Sequence, residues 1–319
     1  MAKRMRFILS TIMVIVAMTA KAQVTTSSLS GKVTDPDKEA IIGATVQAIH
    51  EPSGTRYGAI TNIDGRYTIQ GMRAGGPYSV EVSYIGYQTM MYKDVTLQLG
   101  EVYNLNVQMK ESSELLEEVV VTAQKTKFAS EKTGATTNIS NTQIANMPSV
   151  SRSITDYSRL SAYGVNGMSF AGSDGRTANF TIDGANFNNN FGLSSNLPGG
   201  GNPVSIEAID EIQIVISPFD VRQTNFIGGG INAITKSGTN TYKGTAYIYH
   251  QNENMRGDAI DRETILGARE KDQSTTYGFT IGGPIIKNKL FFFANGELQN
   301  TPAIANRWRA SEDGVANAD

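Results

Sequence analysis

Apolar and polar residues alternate with a period of two along much of this chain. Tyr78, Val80, Val82 and Tyr84 share one face, with Ser79, Glu81 and Ser83 on the other. Tyr103, Leu105, Val107 and Met109 repeat the pattern against Asn104, Asn106 and Gln108, and Ala44, Val46 and Ala48 form a weaker version. Such alternation predicts strands with one face in a core and one in water. Turn residues separate them: Asp35-Pro36-Asp37, Pro52-Ser53-Gly54, Asp64-Gly65 and Gly75-Gly76-Pro77. Residues 29–110 are therefore predicted to form a small β-sandwich of about seven strands.

A second alternating region lies toward the other end. Tyr277, Phe279 and Ile281 alternate with Gly278, Thr280 and Gly282, and a turn runs from Gly283-Pro284 to Asn288. Leu290, Phe292, Ala294, Gly296 and Leu298 then face one way, with Asn295, Glu297 and Gln299 facing the other. An earlier strand, about 243–251, alternates poorly, and a long charged stretch from Asn252 to Gln273 follows it. Strands of about ten residues, apolar outward and polar inward, joined by short turns, predict the start of an outer-membrane barrel over 241–319.

Residues 127–240 have a different texture, rich in glycine and asparagine with shorter apolar runs. Ile139 to Met147 reads as a short helix stopped by Pro148, and Arg152 to Leu160 as another. Phe180-Thr181-Ile182 is a strand running into a turn at Asp183-Gly184. The run Ile206 to Ile216 begins helix-like and ends as a strand, and Phe226 to Lys236 is a glycine-led strand. The prediction is an α+β domain with long loops.

Between the sandwich and this domain lies the run Leu116-Glu117-Glu118-Val119-Val120-Val121-Thr122-Ala123. Three consecutive valines favour an extended strand, because β-branched side chains are stiff and suit a pleated surface. Glu111, Glu114, Glu117 and Glu118 precede or open the run, Lys125 and Lys127 follow it, and no partner strand is evident in the sequence. A strand-prone peptide in a polar linker is suited to joining the sheet edge of another protein. An ordinary short strand within a domain is the plainer alternative.

Composition narrows the chemistry. Lys3, Arg4 and Arg6, the apolar run from Phe7 to Met18, and Ala20-Lys21-Ala22 form the pattern of a secretory signal peptide over residues 1–22. Its removal would take away four cations and no anion, moving the net charge from −2 to −6. Neither value gives an electrostatic reason to expect nucleic acid. The chain has no cysteine, so thiolate metal sites and cysteine nucleophiles are excluded and stability rests on burial.

Three candidate chemistries fail on inspection. Asp35-Pro36-Asp37-Lys38-Glu39 lacks the glycine and later glutamate of a calcium loop. Gly230-Ile231-Asn232-Ala233-Ile234-Thr235-Lys236-Ser237 puts Thr235 where a phosphate-cradling loop needs its second glycine. His50 and His250, the two histidines, sit in different domains beside no nucleophile motif. No catalytic site, metal site or cofactor is predicted.

The motifs of 29–110, namely Gly31-Lys32-Val33-Thr34-Asp35, Ile42-Gly43-Ala44-Thr45-Val46, Thr61-Asn62-Ile63-Asp64-Gly65-Arg66-Tyr67 and Tyr84-Ile85-Gly86-Tyr87, resemble the carboxypeptidase-regulatory-like domain, a transthyretin-like sandwich. The resemblance implies a folding or recognition module without peptidase chemistry. Ile182-Asp183-Gly184, the run Ile209-Asp210-Glu211-Ile212, and Gly228-Gly229-Gly230-Ile231-Asn232-Ala233-Ile234-Thr235-Lys236-Ser237-Gly238 look like the plug domain of TonB-dependent outer-membrane receptors. Ser153 to Leu160, Ser217 to Arg222 and Gly282 to Phe293 resemble the Oar-like branch of that family.

That resemblance implies a mainly β chain: signal peptide, sandwich, a linker over 111–126, a plug over 127–240 and barrel strands from 241. Within the linker, Glu117, Glu118, Val119, Val120, Val121, Thr122 and Ala123 resemble the TonB box, the segment that binds the periplasmic domain of TonB and its inner-membrane motor. The implied plug residues are Ile182, Asp183, Gly184, Gly228, Gly229, Gly230, Asn232, Thr235 and Lys236. The implied function is energy-coupled uptake of a large extracellular solute through the outer membrane, with the N-terminal domain in the periplasm. A non-transporting adhesive or structural outer-membrane protein is the alternative. The family's barrel needs ~22 strands of ~10 residues, so the expectation is the front portion of such a receptor.

Overall fold

The computed structural model describes residues 25–111, 119–122, 135–147, 149, 152–164, 167–188, 202–216, 223, 228–255, 259–260, 263–264 and 273–302. The alternating segments at the start become β1 (Thr26–Thr34), β2 (Thr45–His50), β3 (Thr55–Ile60), β4 (Arg66–Arg73), β5 (Gly75–Ser83), β6 (Met90–Leu97), β7 (Val102–Asn104) and β8 (Val107–Gln108). They form two sheets. One runs β4-β1-β7, with β8 also on β1, and the other runs β3-β2-β5-β6 and ends on β9 (Val119–Thr122).

The inward faces meet in one core, in which Leu29, Val46, Ala48, Met72, Tyr78, Val80 and Val82 are fully buried. Two tyrosines in it keep their hydroxyls satisfied. Tyr67 donates to the Leu105 carbonyl at 2.7 Å and Tyr78 to the Arg73 carbonyl at 2.7 Å, as buried phenols require. Burial pushes both phenol pKa values above the ordinary range.

A third sheet is mixed. Its strands are β10 (Ala135–Ser140), β11 (Asn179–Ile182), β12 (Ala185–Asn186), β13 (Ile209–Ile216) and β14 (Gly229–Thr235), in the order β10-β13-β14-β11-β12. The helix α1 spans Asn141–Asn146, two residues later than the sequence predicts. Ser140 sets its start, its N–H donating to the Gln143 side chain at 3.0 Å, the backbone half of a capping box. Ile139, expected in the helix, instead lies in β10, paired with Ile212, and is buried. The second expected helix is a 3-10 segment, Ile154–Leu160, opened by Ser153. A 3-10 turn at Ile206–Ala208 leads into β13, matching the helix-then-strand reading.

The last strands are β15 (Lys243–Gln251), β16 (Ala259–Ile260), β17 (Glu263–Thr264), β18 (Ser274–Ile286) and β19 (Leu290–Asn300). β16 and β17 pair as a small antiparallel hairpin, and β15, β18 and β19 form a sheet in that order. On β18, Tyr277, Phe279 and Ile281 are exposed while Thr276 and Thr280 are buried. The apolar face points out and the polar face is covered, the arrangement of a barrel strand. Among the described residues no helix is long and apolar enough to cross a membrane, which says nothing of strands.

Candidate functional site

The predicted partner strand is seated on a sheet. Of Glu117 to Ala123, the residues Val119, Val120, Val121 and Thr122 are described and form β9; Glu117, Glu118 and Ala123 lie outside the described residues. β9 pairs parallel with β6 in the register Met90↔Val119, Met91↔Val120, Tyr92↔Val121 and Lys93↔Thr122. It is the last strand of its sheet. Sequence reasoning found the strand and missed its neighbour, since a parallel pairing to a strand about thirty residues upstream leaves no local signal.

The plug-motif residues, read from two separate stretches, converge on adjacent strands. β11 runs parallel to β14 with Thr181 opposite Asn232 and Ile182 opposite Ala233, and the Thr181 hydroxyl donates to Asn232 Oδ1 at 2.9 Å. Asp183 and Gly184 link β11 to β12 with φ of 49° and 80°. Positive φ at both central residues is the two-residue hairpin geometry that Asp-Gly favours. The turn aims the Asp183 carboxylate at the end of β14. Its Oδ1 accepts from the Thr235 N–H at 2.9 Å and its Oδ2 from the Thr235 hydroxyl at 2.7 Å. The Asp183 N–H donates to the Ala233 carbonyl at 2.9 Å, and the Lys236 N–H to Ala208 at 2.7 Å.

The glycines at the start of β14 are fixed by crowding. Gly228 has a φ of 99°, and a Cβ on Gly229 would come within 2.7 Å of the buried Phe170 ring. Only glycine lets the backbone lie on that ring. Gly230 lies on β14 opposite Asn179 of β11 and Val215 of β13.

A further constellation ties the sandwich to the mixed sheet. Leu99, two residues after β6, is buried and packs with Ala74 and Ile234. Its N–H donates to Glu211 Oε1 at 3.0 Å. Its carbonyl accepts from Asn138 Nδ2 at 3.3 Å and from Gln213 Nε2. Ile212, Ile214 and Ile216 of β13 face the core of the mixed sheet, while Glu211 and Gln213, on the opposite face, grip one backbone position of the sandwich. The sequence signal was available: two polar residues at i and i+2 in an otherwise isoleucine-rich strand mark a face that meets something polar. Among the described residues no group of His, Asp and Glu is arranged to hold a metal ion.

Comparison with known proteins gives this geometry a context. Residues 28–110 match the carboxypeptidase regulatory-like domain, and residues 234–307 match an outer membrane beta barrel domain. The TonB-dependent transporter Oar of Myxococcus xanthus is 32% identical over 135 residues, which is 40% of this chain and 12% of that protein. The chain thus spans about an eighth of the curated relative it matches. Among solved structures, the siderophore receptor PirA of Acinetobacter baumannii is 22% identical over 52% of this chain and 24% of its own, with a TM-score of 0.39. PirA of Pseudomonas aeruginosa is 20% identical over 54% and 28%, with a TM-score of 0.38. The chain thus carries a carboxypeptidase regulatory-like domain ahead of a segment that matches an outer membrane beta barrel domain, and over part of its length it is similar to a TonB-dependent transporter.

Proposed function

We propose that the chain serves energy-coupled uptake of a large solute across the outer membrane. Residues 117–123 act as the TonB box, 127–240 as the plug, and the sandwich over 29–110 works in the periplasm. Solute binds on the extracellular side, the periplasmic domain of TonB pairs with the valine strand, and the inner-membrane motor pulls through it to rearrange the plug.

The observation that carries this reading is β9: a four-residue, β-branched strand at the end of a sheet, just ahead of the mixed sheet in sequence. Strand addition suits a cycle that must engage and release. A few backbone hydrogen bonds at ~0.5–1.5 kcal/mol net each give a weak, reversible contact. The test is capture of the membrane-extracted protein by the purified periplasmic domain of TonB. Val120→Pro removes a strand N–H and is expected to abolish capture. Capture of Val120→Pro at the wild-type level, or none by wild type, would remove the transport reading and leave an adhesive or structural role.

A further inference from the structure

β9 sits on a sheet edge, and that seat has a consequence for how a partner strand arrives. A strand has two hydrogen-bonding edges, and in a ladder alternate residues address opposite sides. β9 spends one edge on β6 through the four registered pairs from Met90↔Val119 to Lys93↔Thr122. Its other edge has no partner strand among the described residues, because β9 is terminal in the order β3-β2-β5-β6-β9. An edge of this kind is a template for strand addition.

Resting on the transport reading above, we infer that the sandwich is a presenting platform: β6 holds the TonB box extended, and a strand of the periplasmic TonB domain adds to the outer edge of β9 as the sixth strand of that sheet. The box is then not a loose peptide that must be ordered at the moment of capture. Fixing each backbone residue of a loose peptide costs about a factor of ten in affinity, and seating four residues beforehand removes much of that cost. Charge supports the same occupant. Glu117 and Glu118 open the box and Lys125 and Lys127 follow it, so an incoming strand with a cation at one end and an anion at the other meets complementary charge.

The platform also has a firm connection behind it. β6 ends at Leu97, and Leu99 beyond it is the residue gripped by Glu211, Gln213 and Asn138. A pull on the seated strand therefore reaches β13 of the mixed sheet through β6 as well as along the covalent chain. A competing arrangement, in which β6 sequesters the box and must release it before TonB binds, makes the opposite prediction.

The chain has no cysteine, so Met91→Cys with Val120→Cys creates a single possible intramolecular disulfide. These residues are registered partners, and neighbouring strands lie about 4.7–4.9 Å apart, inside the Cα separation of about 4.4–6.8 Å that a disulfide spans. The probe is the purified periplasmic domain of TonB, titrated against the oxidised and the reduced forms of the same protein. The platform predicts that the disulfide forms and that the oxidised form binds within about threefold of the reduced form. A loss of tenfold or more on oxidation overturns the platform in favour of sequestration, and failure of the disulfide to form overturns it by showing that the strand is not seated. The pair Met90→Cys with Val119→Cys repeats the test if Val120→Cys alone weakens the reduced form. Failure of wild type to bind, or full binding by Val120→Pro, instead removes the transport reading, so the two failures are distinguishable.

Discussion

Strands β5 and β18 carry the same alternating pattern and meet opposite surroundings. On β5, Tyr78, Val80 and Val82 are fully buried, while on β18 Tyr277, Phe279 and Ile281 are 50%, 51% and 44% exposed. In the sandwich the apolar face meets another protein layer and the polar face meets water. On β18 the polar face is covered, with Thr280 bonded to Thr245 at 2.6 Å, and the apolar face is exposed, as a lipid-facing strand would require. A period of two therefore identifies a strand but not its medium. The medium follows from what stands opposite the apolar face, which is a fact of topology.

Placing the same charge on both apolar faces breaks this comparison most forcefully. Val80→Lys puts an unpaired ammonium into a core without a partner, and a loss of ~4 kcal/mol or more is expected. Urea unfolding followed by sandwich tyrosine fluorescence would read it as an unfolded domain. Phe279→Lys should behave differently according to solvent. In the bilayer a lysine on the lipid face costs ~2–4 kcal/mol near the midplane and less near the interfaces. Reduced recovery in the outer-membrane fraction is the readout. A Phe279→Lys protein inserted as well as wild type would show that this face does not meet lipid.

The same contrast explains what the sequence alone reveals. The strands β2 and β5 were legible because Ala44, Val46 and Ala48, and Tyr78, Val80 and Val82, alternate with polar residues between clear turn signals. The Asp183-Gly184 turn was legible because its chemistry is local. Ile139 misled, because an isoleucine before Asn141 fits a helix as well as a strand, and only Ser140 and Gln143 fix where the helix starts. The seat of β9 and the grip on Leu99 were not legible, since each joins residues distant in sequence through backbone groups that carry no side-chain signature. Their polar partners, Glu211 and Gln213, do leave a trace on β13.

A smaller effect tests whether the mixed sheet shares the rigidity of the sandwich. Asp183→Ala deletes both hydrogen bonds to Thr235 and places alanine at a φ of 49°. The expected loss is ~2–3 kcal/mol, from an uncompensated strand end and an unfavourable backbone. Asp183→Asn keeps the turn preference and one acceptor, so it should lose about half as much. Hydrogen exchange at the Thr235 amide separates the variants: fast exchange is expected in the alanine variant and partial protection in the asparagine one. Equal protection in both would mean that strand pairing with β13, not the aspartate, holds that end of β14.

The smallest effect concerns a titrating group that only the sandwich buries. His50 ends β2, its Nδ1 lies 2.7 Å from Ser53 Oγ, and its ring is 4.9 Å from that of Tyr78. Burial, aided by the positive charge of Arg73, lowers its pKa from 6.5 to about 4. Above pH 6.5 the folded and unfolded chains both hold the ring neutral, and the group adds no pH dependence. Between 6.5 and about 4 the unfolded chain takes up a proton that the folded one refuses, so stability falls as pH falls; below about 4 both are protonated and the loss stops. The loss, discounted for screening of the charged form, is ~1–2 kcal/mol. Urea midpoints from pH 7 to 4 should therefore fall further for wild type than for His50→Gln, whose remaining slope reports the carboxylates alone. Equal slopes would mean that the folded sandwich admits a proton to His50 as readily as the unfolded chain does, and that this end of β2 is open to water in a way the core around Tyr78 is not.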